Sequence, residues 1–565
     1  MEKEQGRRNY NIFFNTHTVT GITISIALYI CFFCGAFALF MQNINNWEGN
    51  TKKEVGKPST DFEKILDAIE QKGYQLEGRT FTIDYFQKKL PAITVRSQPL
   101  PEPDTHKAIE NGNNQWETDS LARAQISLNL DASTFEILEN QSLEQKRLGT
   151  FLYHLHYFGQ VPIGILLSGL VSLFFLFAIV TGTLVHWKKV VSHFFTFRLK
   201  GSLKNLWTDA HTALGIIGLP FQFMYAITGA FYGLIILVFL PFGMVYFDGN
   251  FNKVTDYAAP SMKTYDRDGE VLEHQESINK LVANSLLELD NPQTDRIRIK
   301  LDNYKDTNAH LMVETWVDSP KLFFNGAIHT YRLSDGELVY KKKLGSSKYR
   351  ESISSILTKL HFANFGGYFI KLIYFVLALI TCFVILSGVM IWLEARNKKK
   401  YEHKKRFNTN VGAIYLGTSL GLFPSITLFF CMVKIFPLDM EGRYEMLSTL
   451  FFLFWLIFIG YAFLLKDFHK INKHALLLAG ILGMLIPVFN GLQSGLWPWK
   501  SIFNGYVDSF FVDVSWFFLG IISFWIGLQV KRLIPGSRKG YSSNEGFASK
   551  VSAITIANGN SEDNS

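Results

Sequence analysis

Two stretches of the chain match each other in their histidines and glycines. Residues 17–37 and 211–231 both open with His-Thr-x-x-Gly and close with Gly-Ala-Phe. In each stretch, eighteen residues separate the histidine, His17 or His211, from the last glycine. That spacing is about five helical turns, so the histidine and the glycines share one face of a helix. The match is an internal repeat, and each copy predicts an imidazole beside a groove without side chains.

A second pair of matching histidines follows these stretches. His156 in Leu-His-Tyr and His361 in Leu-His-Phe each lead into an apolar run, and these runs reach Gly182 and Gly388. The repeated unit is therefore a hairpin of two helices with a histidine near the start of each helix. Antiparallel helices place the first histidine of each hairpin at one end of the bundle and the second at the other end.

Two imidazoles that face each other can hold one metal macrocycle between them, as in b-type haems. The repeat pairs His17 with His211 and His156 with His361, which predicts two haem b groups with these four residues as iron ligands. Zinc is disfavoured because neither pair has a third and fourth ligand at the usual spacing. The alternative is that the histidines are membrane-interface residues that pack on a helix seam.

Two further histidines complicate this assignment. His186 belongs with the His17–His211 pair and is an additional cofactor-binding candidate, either as a replacement ligand or as a partner of a haem propionate. Trp392 stands at the position of the repeat that corresponds to His186, so the symmetry argues against His186 as a ligand. His154 is expected to face solvent, and the alternative is that it exchanges roles with His156. No catalytic residue is assigned.

Other reactive residues lie in apolar helices. Cys31 and Cys34 form a Cys-x-x-Cys motif, which we interpret as packing because it lies within an apolar run. Asp508 and Asp513, near the end of the last apolar run, are either a proton or cation site or part of a wet interfacial face.

The composition is that of a polytopic membrane protein. Of the 565 residues, 48% are hydrophobic and 18% are charged, and 51 are phenylalanine. Several apolar runs exceed the length that crosses a bilayer. We predict eight spanning helices, at 13–42, 152–187, 207–247, 357–394 and four more within a C-terminal extension at 411–530. The net charge of +8 comes from lysines and arginines at helix ends, which indicates membrane topology and not nucleic-acid binding.

The basic loops all fall on one side of the membrane if both termini are cytoplasmic. Two long segments, 43–151 and 248–356, then lie outside. Each has a helical pattern followed by alternating, strand-like runs, which predicts two small α+β domains. The polar tail 536–565 is predicted to be disordered.

Five motifs in these elements form a recognisable set. They are Gly182-Thr-Leu-Val-His186-Trp-Lys, Phe194-Phe-Thr-Phe-Arg198, Asp209-Ala-His211-x-x-x-Gly215, Pro220-Phe and Tyr331-Arg-Leu-Ser-Asp335-Gly-Glu-Leu. These motifs resemble the PepSY-associated transmembrane family. The resemblance covers about residues 10–397, and the two segments predicted to lie outside are similar to PepSY domains.

The resemblance implies a protein of the bacterial inner membrane, and some similar proteins are haem-containing reductases that release iron from siderophores in the periplasm. We therefore expect an oxidoreductase that carries electrons through two haems to a ferric chelate such as a ferric siderophore. No nucleotide-binding glycine motif follows a strand, so no NAD(P) or flavin site is expected and quinol or a redox protein must supply the electrons. Membrane lipid is the other expected partner. The alternative function is a non-enzymatic permease, or a scaffold whose PepSY-like domains bind another protein.

Overall fold

The computed structural model describes most of the chain in thirteen stretches. These are residues 2–50, 61–86, 92–97, 125–131, 146–187, 203–250, 253–254, 257, 263–289, 294–317, 326–346, 349–396 and 399–533. The predicted tail 536–565 lies outside them. The predicted fold class is confirmed, because eight of the described helices are long and apolar enough to cross a membrane and a small antiparallel sheet accompanies them.

Within residues 2–396, the described residues form ten helices, and the spanning ones belong to two hairpins that form a bundle. The ten helices are α1 (Glu2–Ala38), α2 (Met41–Glu48), α3 (Phe62–Glu70), α4 (Leu148–His156), α5 (Gly164–His186), α6 (Leu203–Ile217), α7 (Leu219–Tyr246), α8 (Ile278–Leu287), α9 (Tyr349–Phe362) and α10 (Gly367–Arg396). Helix α1 packs against α5 and α10, and α7 packs against α5. Helix α6 packs against α10, so the helices of the two hairpins form a closed ring.

Three of the predicted spanning helices are interrupted, which the sequence pattern did not predict. The stretch 152–187 is divided between α4 and α5, 207–247 between α6 and α7, and 357–394 between α9 and α10. Two of these breaks fall two residues after a histidine of the repeat, at Phe158 (φ 59°) and Ala363 (φ 53°). Such left-handed backbone is uncommon for residues with a side chain and ends a helix.

The remaining break, between α6 and α7, follows from proline chemistry. Pro220 stands in the first turn of α7, where its missing N–H costs no helical hydrogen bond, and the chain turns at Gly218 just before it. As a result, His156 and His361 each lie in a short helix that precedes a spanning helix, and His211 lies in α6 just before α7.

The two segments that were predicted to lie outside the membrane contribute strands to one sheet. The strands are β1 (Phe81–Phe86), β2 (Ala92–Ser97), β3 (Ile126–Asp131), β4 (Thr294–Asp302), β5 (His310–Val317), β6 (Gly326–Arg332) and β7 (Leu338–Lys342). Their order is β3-β2-β1-β4-β5-β6-β7 with antiparallel pairing throughout, and β1 of the first segment pairs with β4 of the second. The two predicted α+β domains are therefore halves of one sheet that share a core with α3 and α8.

The opposite face of this sheet carries charges, because residues alternate between the two faces of a strand. Asp84 on β1 accepts hydrogen bonds from Arg296 and Arg298 on β4. Burial opposes ionisation of Asp84, but these guanidinium groups outweigh it and hold the pKa of its carboxyl below the usual value. Burial raises the pKa of the neighbouring Glu314 to about 7 even though Arg298 lies nearby.

The C-terminal extension forms a second group of spanning helices beside the ring. Its helices are α11 (Lys405–Ile435), α12 (Arg443–Leu465), α13 (Phe468–Ser494), α14 (Pro498–Phe503) and α15 (Val507–Leu533), with a 3-10 helix (Lys399–Lys404) before α11. Helix α11 packs against α12 and α13, and α13 packs against α15. Phe33, Phe37 and Phe423 belong to an aromatic cluster through which the extension contacts α1.

Candidate functional site

The structure brings together the two histidines of each predicted pair. The ring centroids of His156 and His361 lie 6.0 Å apart, at the end of the bundle into which the sheet segments lead; we call these two residues the sheet-side pair. The ring centroids of His17 and His211 lie 6.1 Å apart near the other end; we call them the far-side pair. Each hairpin contributes one histidine to each pair, as the repeat predicts.

A backbone carbonyl fixes three of the four imidazoles. The Nδ1 atom of His17 lies 2.8 Å from the carbonyl oxygen of Ala178, and that of His156 lies 2.6 Å from the carbonyl oxygen of Cys31. His211 Nδ1 lies 2.9 Å from the carbonyl oxygen of Val384. Because a carbonyl oxygen only accepts, Nδ1 carries the proton in each ring, and Nε2 keeps the lone pair that binds a metal.

A hydroxyl group takes the place of the carbonyl at His361. The Nδ1 atom of this ring lies 2.9 Å from Oγ1 of Thr228. That hydroxyl donates its own proton to the carbonyl of Met224, so it accepts from His361. The fourth imidazole therefore has the same tautomer as the other three, with Nε2 available as a ligand.

Glycines of the repeat stand directly beside three of the rings. A Cβ atom added at Gly35 would lie 2.7 Å from Nδ1 of His156, and one added at Gly182 would lie 2.9 Å from the ring of His17. Gly388 stands in the same relation to His211, at 3.1 Å. The carbonyl acceptor lies four residues before each of these glycines.

A cavity of about 280 Å³ lies against the sheet-side pair. Its lining includes Gly35, Gly229 and Gly233 together with the rings of Tyr153 and Tyr232. The histidine rings of both pairs are half-buried. The cavity lining is mostly apolar with few polar groups, which is typical of a cofactor site.

Space is also open beside the far-side pair. Among the described residues, a Cβ atom added at Gly21 would have no neighbour within 4 Å, and one added at Gly215 would meet Val384 alone, at 4.0 Å. These two glycines follow His17 and His211 by one helical turn. The lack of side chains on this face is the feature that the repeat predicted.

The donor set suits a metal that brings its own equatorial ligands. A metal–imidazole bond of about 2 Å puts two facing ring centroids about 6 Å apart, close to both observed separations. In the part of the chain that the structure describes, no group of three or more His, Cys, Asp or Glu side chains could hold a metal ion. A pair of imidazoles leaves the other positions of an octahedral metal to a macrocycle such as porphyrin.

The two additional histidines lie close to the pairs. His186 ends α5 and is a neighbour of His211, so it lies in the far-side region as predicted. His154 is half-buried and packs on the rings of Tyr153 and Tyr157, so its ring is only partly open to solvent.

Neither cysteine of the Cys-x-x-Cys motif forms a disulfide. Cys31 and Cys34 are both buried, in agreement with the packing interpretation, and the carbonyl of Cys31 orients His156. Asp508 and Asp513 are 4% and 0% exposed, so the interpretation of a wet interfacial face was wrong. Their partners are residues of α2 that the sequence reasoning missed; the run Asn-Ile-Asn-Asn-Trp at 43–47, directly after an apolar helix, was the available signal.

A family comparison agrees with this architecture. The family model for the PepSY-associated TM region matches residues 14–395, which is about two thirds of the chain. The chain belongs to the PepSY-associated TM family. The match includes both histidine pairs and both halves of the sheet, and it ends before α11. No curated protein is similar enough to the chain to count as a match.

Proposed function

We propose that this PepSY-associated TM protein binds two haem b groups, one at each histidine pair, and carries electrons across the membrane to a ferric chelate on the sheet side. The observation that supports this proposal most is the shared tautomer of the four imidazoles. All four have Nδ1 hydrogen-bonded and a partner ring centroid 6.0 or 6.1 Å away. A hydrogen-bonded Nδ1 is typical of metal-ligating histidines, whose orientation and basicity it sets.

The protein's part in this chemistry is to hold the rings and to exclude water. The partner helix of the same hairpin supplies each acceptor, so the packing of α1 on α5 orients His17 and the packing of α6 on α10 orients His211. Tyr225 stands beside His361 and donates a hydrogen bond to its backbone carbonyl, which fixes the end of α9. When bound, haem supplies one-electron transfer at a potential that depends on its axial ligands and surroundings.

Aromatic rings fill the bundle between the two pairs. Phe32 directly follows Cys31, whose carbonyl accepts from His156 of the sheet-side pair. Phe175 stands three positions before Ala178, whose carbonyl accepts from His17 of the far-side pair. The ring centroids of Phe32 and Phe175 lie 5.5 Å apart, and Phe221 lies 6.3 Å from Phe32. These side chains keep water and charge out of the region that an electron would cross.

A ferric chelate is the proposed substrate because of the chemistry of iron. Hard oxygen chelators, such as siderophores, bind iron(III) more tightly than iron(II). One electron delivered to the ferric chelate therefore promotes release of the metal. The proposed setting is the bacterial inner membrane, with both termini in the cytoplasm and the sheet in the periplasm, where ferric siderophores arrive. Quinol or a redox protein would supply the electrons.

Anaerobic mixing tests this function directly. The purified, haem-loaded chain is reduced with dithionite, freed of excess reductant and mixed with a ferric trihydroxamate in the presence of an iron(II)-trapping dye. We expect the reduced haem bands to disappear and one iron(II) to be trapped per haem oxidised. The matched control is the His361→Ala chain, which should reduce the chelate far more slowly. A haem-loaded protein that stays reduced with excess ferric chelate would exclude ferric-chelate reduction and favour the binding or scaffold alternative.

A further inference from the structure

The C-terminal extension contacts the bundle through a buried polar network at the sheet-side end. Six charged side chains take part, and each is less than 9% exposed. Three are acidic and three are basic, so the charges balance: Glu48, Asp508, Asp513, Arg147, Lys434 and Arg443. Charged groups buried in a membrane protein are costly and persist where the arrangement serves a function.

Helix α15 holds α2 through two carboxylates. The side-chain amides of Asn43 and Asn46 each donate to one oxygen of Asp508, both at 2.7 Å. The indole N–H of Trp47 donates to Asp513 at 2.8 Å, and Asn490 of α13 donates to the other oxygen of Asp513. All four carboxylate oxygens are satisfied by uncharged donors, so α2 is tied to the extension along its whole length.

A second set of contacts joins α2 to the other helices of the extension. The guanidinium of Arg443 on α12 donates to Glu48 at 2.6 Å and to the carbonyl of Val433. The ammonium of Lys434 on α11 donates to the carbonyl of Trp47 at 2.6 Å and lies over its ring. These bonds leave Glu48 with one oxygen that faces away from the extension.

The remaining carboxylate oxygen of Glu48 caps the N-terminus of α4. The backbone N–H of Leu148 donates to Glu48 at 2.7 Å, although the residue in the cap position, Arg147, has no capping side chain. Asn45 exchanges hydrogen bonds with Thr150, one to its backbone and one to its hydroxyl. Side chains of α2 therefore supply the N-terminal cap that the sequence of α4 lacks.

Close packing connects the two helices as well. A Cβ atom added at Gly149 would lie 2.3 Å from the carbonyl oxygen of Met41, so only glycine fits at this contact. Helix α4 has nine residues, and its last is His156. A displacement of its first turn is therefore passed to the sheet-side imidazole. The helix of His361 has different support, because Thr358 accepts from Tyr232 of α7.

We propose that the four spanning helices of the C-terminal extension, which lie outside the family match, act as a clamp that positions His156 for the sheet-side haem. Glu48 is the central positioning residue, since it joins Arg443 to the first turn of α4. This inference rests on the proposed function for its haem readout, and the exchange readout below does not need haem. Within the described residues, the hydrogen bonds of α2 reach α4 and not the far-side pair, so we expect the clamp to act on the sheet-side site.

The test compares Glu48→Gln with Glu445→Gln in the full-length protein. Glu445 lies in α12, as Arg443 does, and forms an ion pair with Lys146. Because that ion pair is on the surface, Glu445→Gln serves as a matched control. In Glu48→Gln we expect amide hydrogen exchange in residues 148–156 to rise on the order of tenfold, because the buried charge pair is lost and the one remaining acceptor oxygen cannot serve both Arg443 and the N–H of Leu148. The low-spin spectrum and midpoint potential of the sheet-side haem should shift, and those of the far-side haem should not. Glu445→Gln should change neither.

Two results would overturn the clamp. Unchanged exchange in 148–156 would show that Glu48 does not stabilise α4, whether or not haem is bound. Faster exchange with an unaltered sheet-side spectrum would show that α4 does not control His156. A wild-type chain without haem would instead contradict the proposed function and leave the exchange comparison valid. If Glu48→Gln does not fold, Asp508→Asn, which weakens α2 from the α15 side, must give the same pattern; retained far-side haem confirms that the bundle is intact.

Discussion

Replacement of His211 or His17 by Ala is expected to remove one of two haems. Each variant deletes one of the two imidazoles that we propose hold the far-side haem, so the haem content should fall to one per chain. The remaining haem should keep the low-spin spectrum of two imidazole ligands, because the sheet-side pair lies at the other end of the bundle. Electron paramagnetic resonance of the oxidised protein, with haem content measured in the same samples, checks this result.

The sheet-side variants provide the reciprocal experiment. His156→Ala and His361→Ala should each remove only the haem that the far-side variants retain. His154→Ala is the control, since its ring packs on Tyr153 and Tyr157 beside the pair and makes no pair with another histidine. If all four pair variants keep two haems with unchanged spectra, the repeat serves helix packing and the conduit proposal fails.

His186 decides between two versions of the far-side site. The geometry favours His17 as the partner of His211, because their rings face each other at 6.1 Å. His186→Ala should therefore leave the haem in place, with at most a changed potential. Loss of the far-side haem in His186→Ala, together with its retention in His17→Ala, would show that His186 is the ligand and that the repeat symmetry gave the wrong partner.

The glycines beside the rings should be nearly as sensitive as the histidines. Gly35→Ala would place a methyl group 2.7 Å from Nδ1 of His156, inside the distance of any normal contact. The imidazole must move and loses its bond to the carbonyl of Cys31. Gly182→Ala should displace His17 in the same way. We expect each variant to lose most of one haem, the sheet-side one for Gly35 and the far-side one for Gly182, as measured by haem content and spectrum.

Gly460→Ala is a suitable control for these variants. It lies within spanning helix α12, where an added Cβ has no neighbour within 4 Å, so both haems should remain. Gly215→Leu tests the open space at the far-side pair. A leucine there should fill that space and exclude the haem while His211 stays in place. Full haem content in Gly35→Ala and Gly182→Ala would show that these glycines do not set the positions of the imidazoles. Full haem content in Gly215→Leu would show that no haem lies against Gly215.

The histidine pairs could be predicted from the repeat in the sequence. Equal spacing in two hairpins places His17 with His211 and His156 with His361, even where a helix is interrupted. Hydropathy also predicted the eight spans. The breaks at Phe158 and Ala363 were not predictable in this way, since neither residue type favours a positive φ and tertiary packing imposes it.

Long-range pairing limited the other predictions. The strands were recognised from their alternating pattern, but nothing local indicates that β1 pairs with β4 across more than 200 residues of chain. The buried network had the same difficulty. Asp508 and Asp513 were visible as acidic residues near the end of a helix, whereas their partners in α2 lie at the opposite end of the chain.

The haem content of the purified chain tests the central claim most directly. A pyridine haemochrome assay on protein from haem-replete cells, combined with an amino-acid analysis for protein concentration, gives the number of haems per chain. The account predicts two haems b, with sharp α and β bands after reduction. A colourless preparation, or a protein with one haem per chain, would contradict the assignment of one haem to each histidine pair.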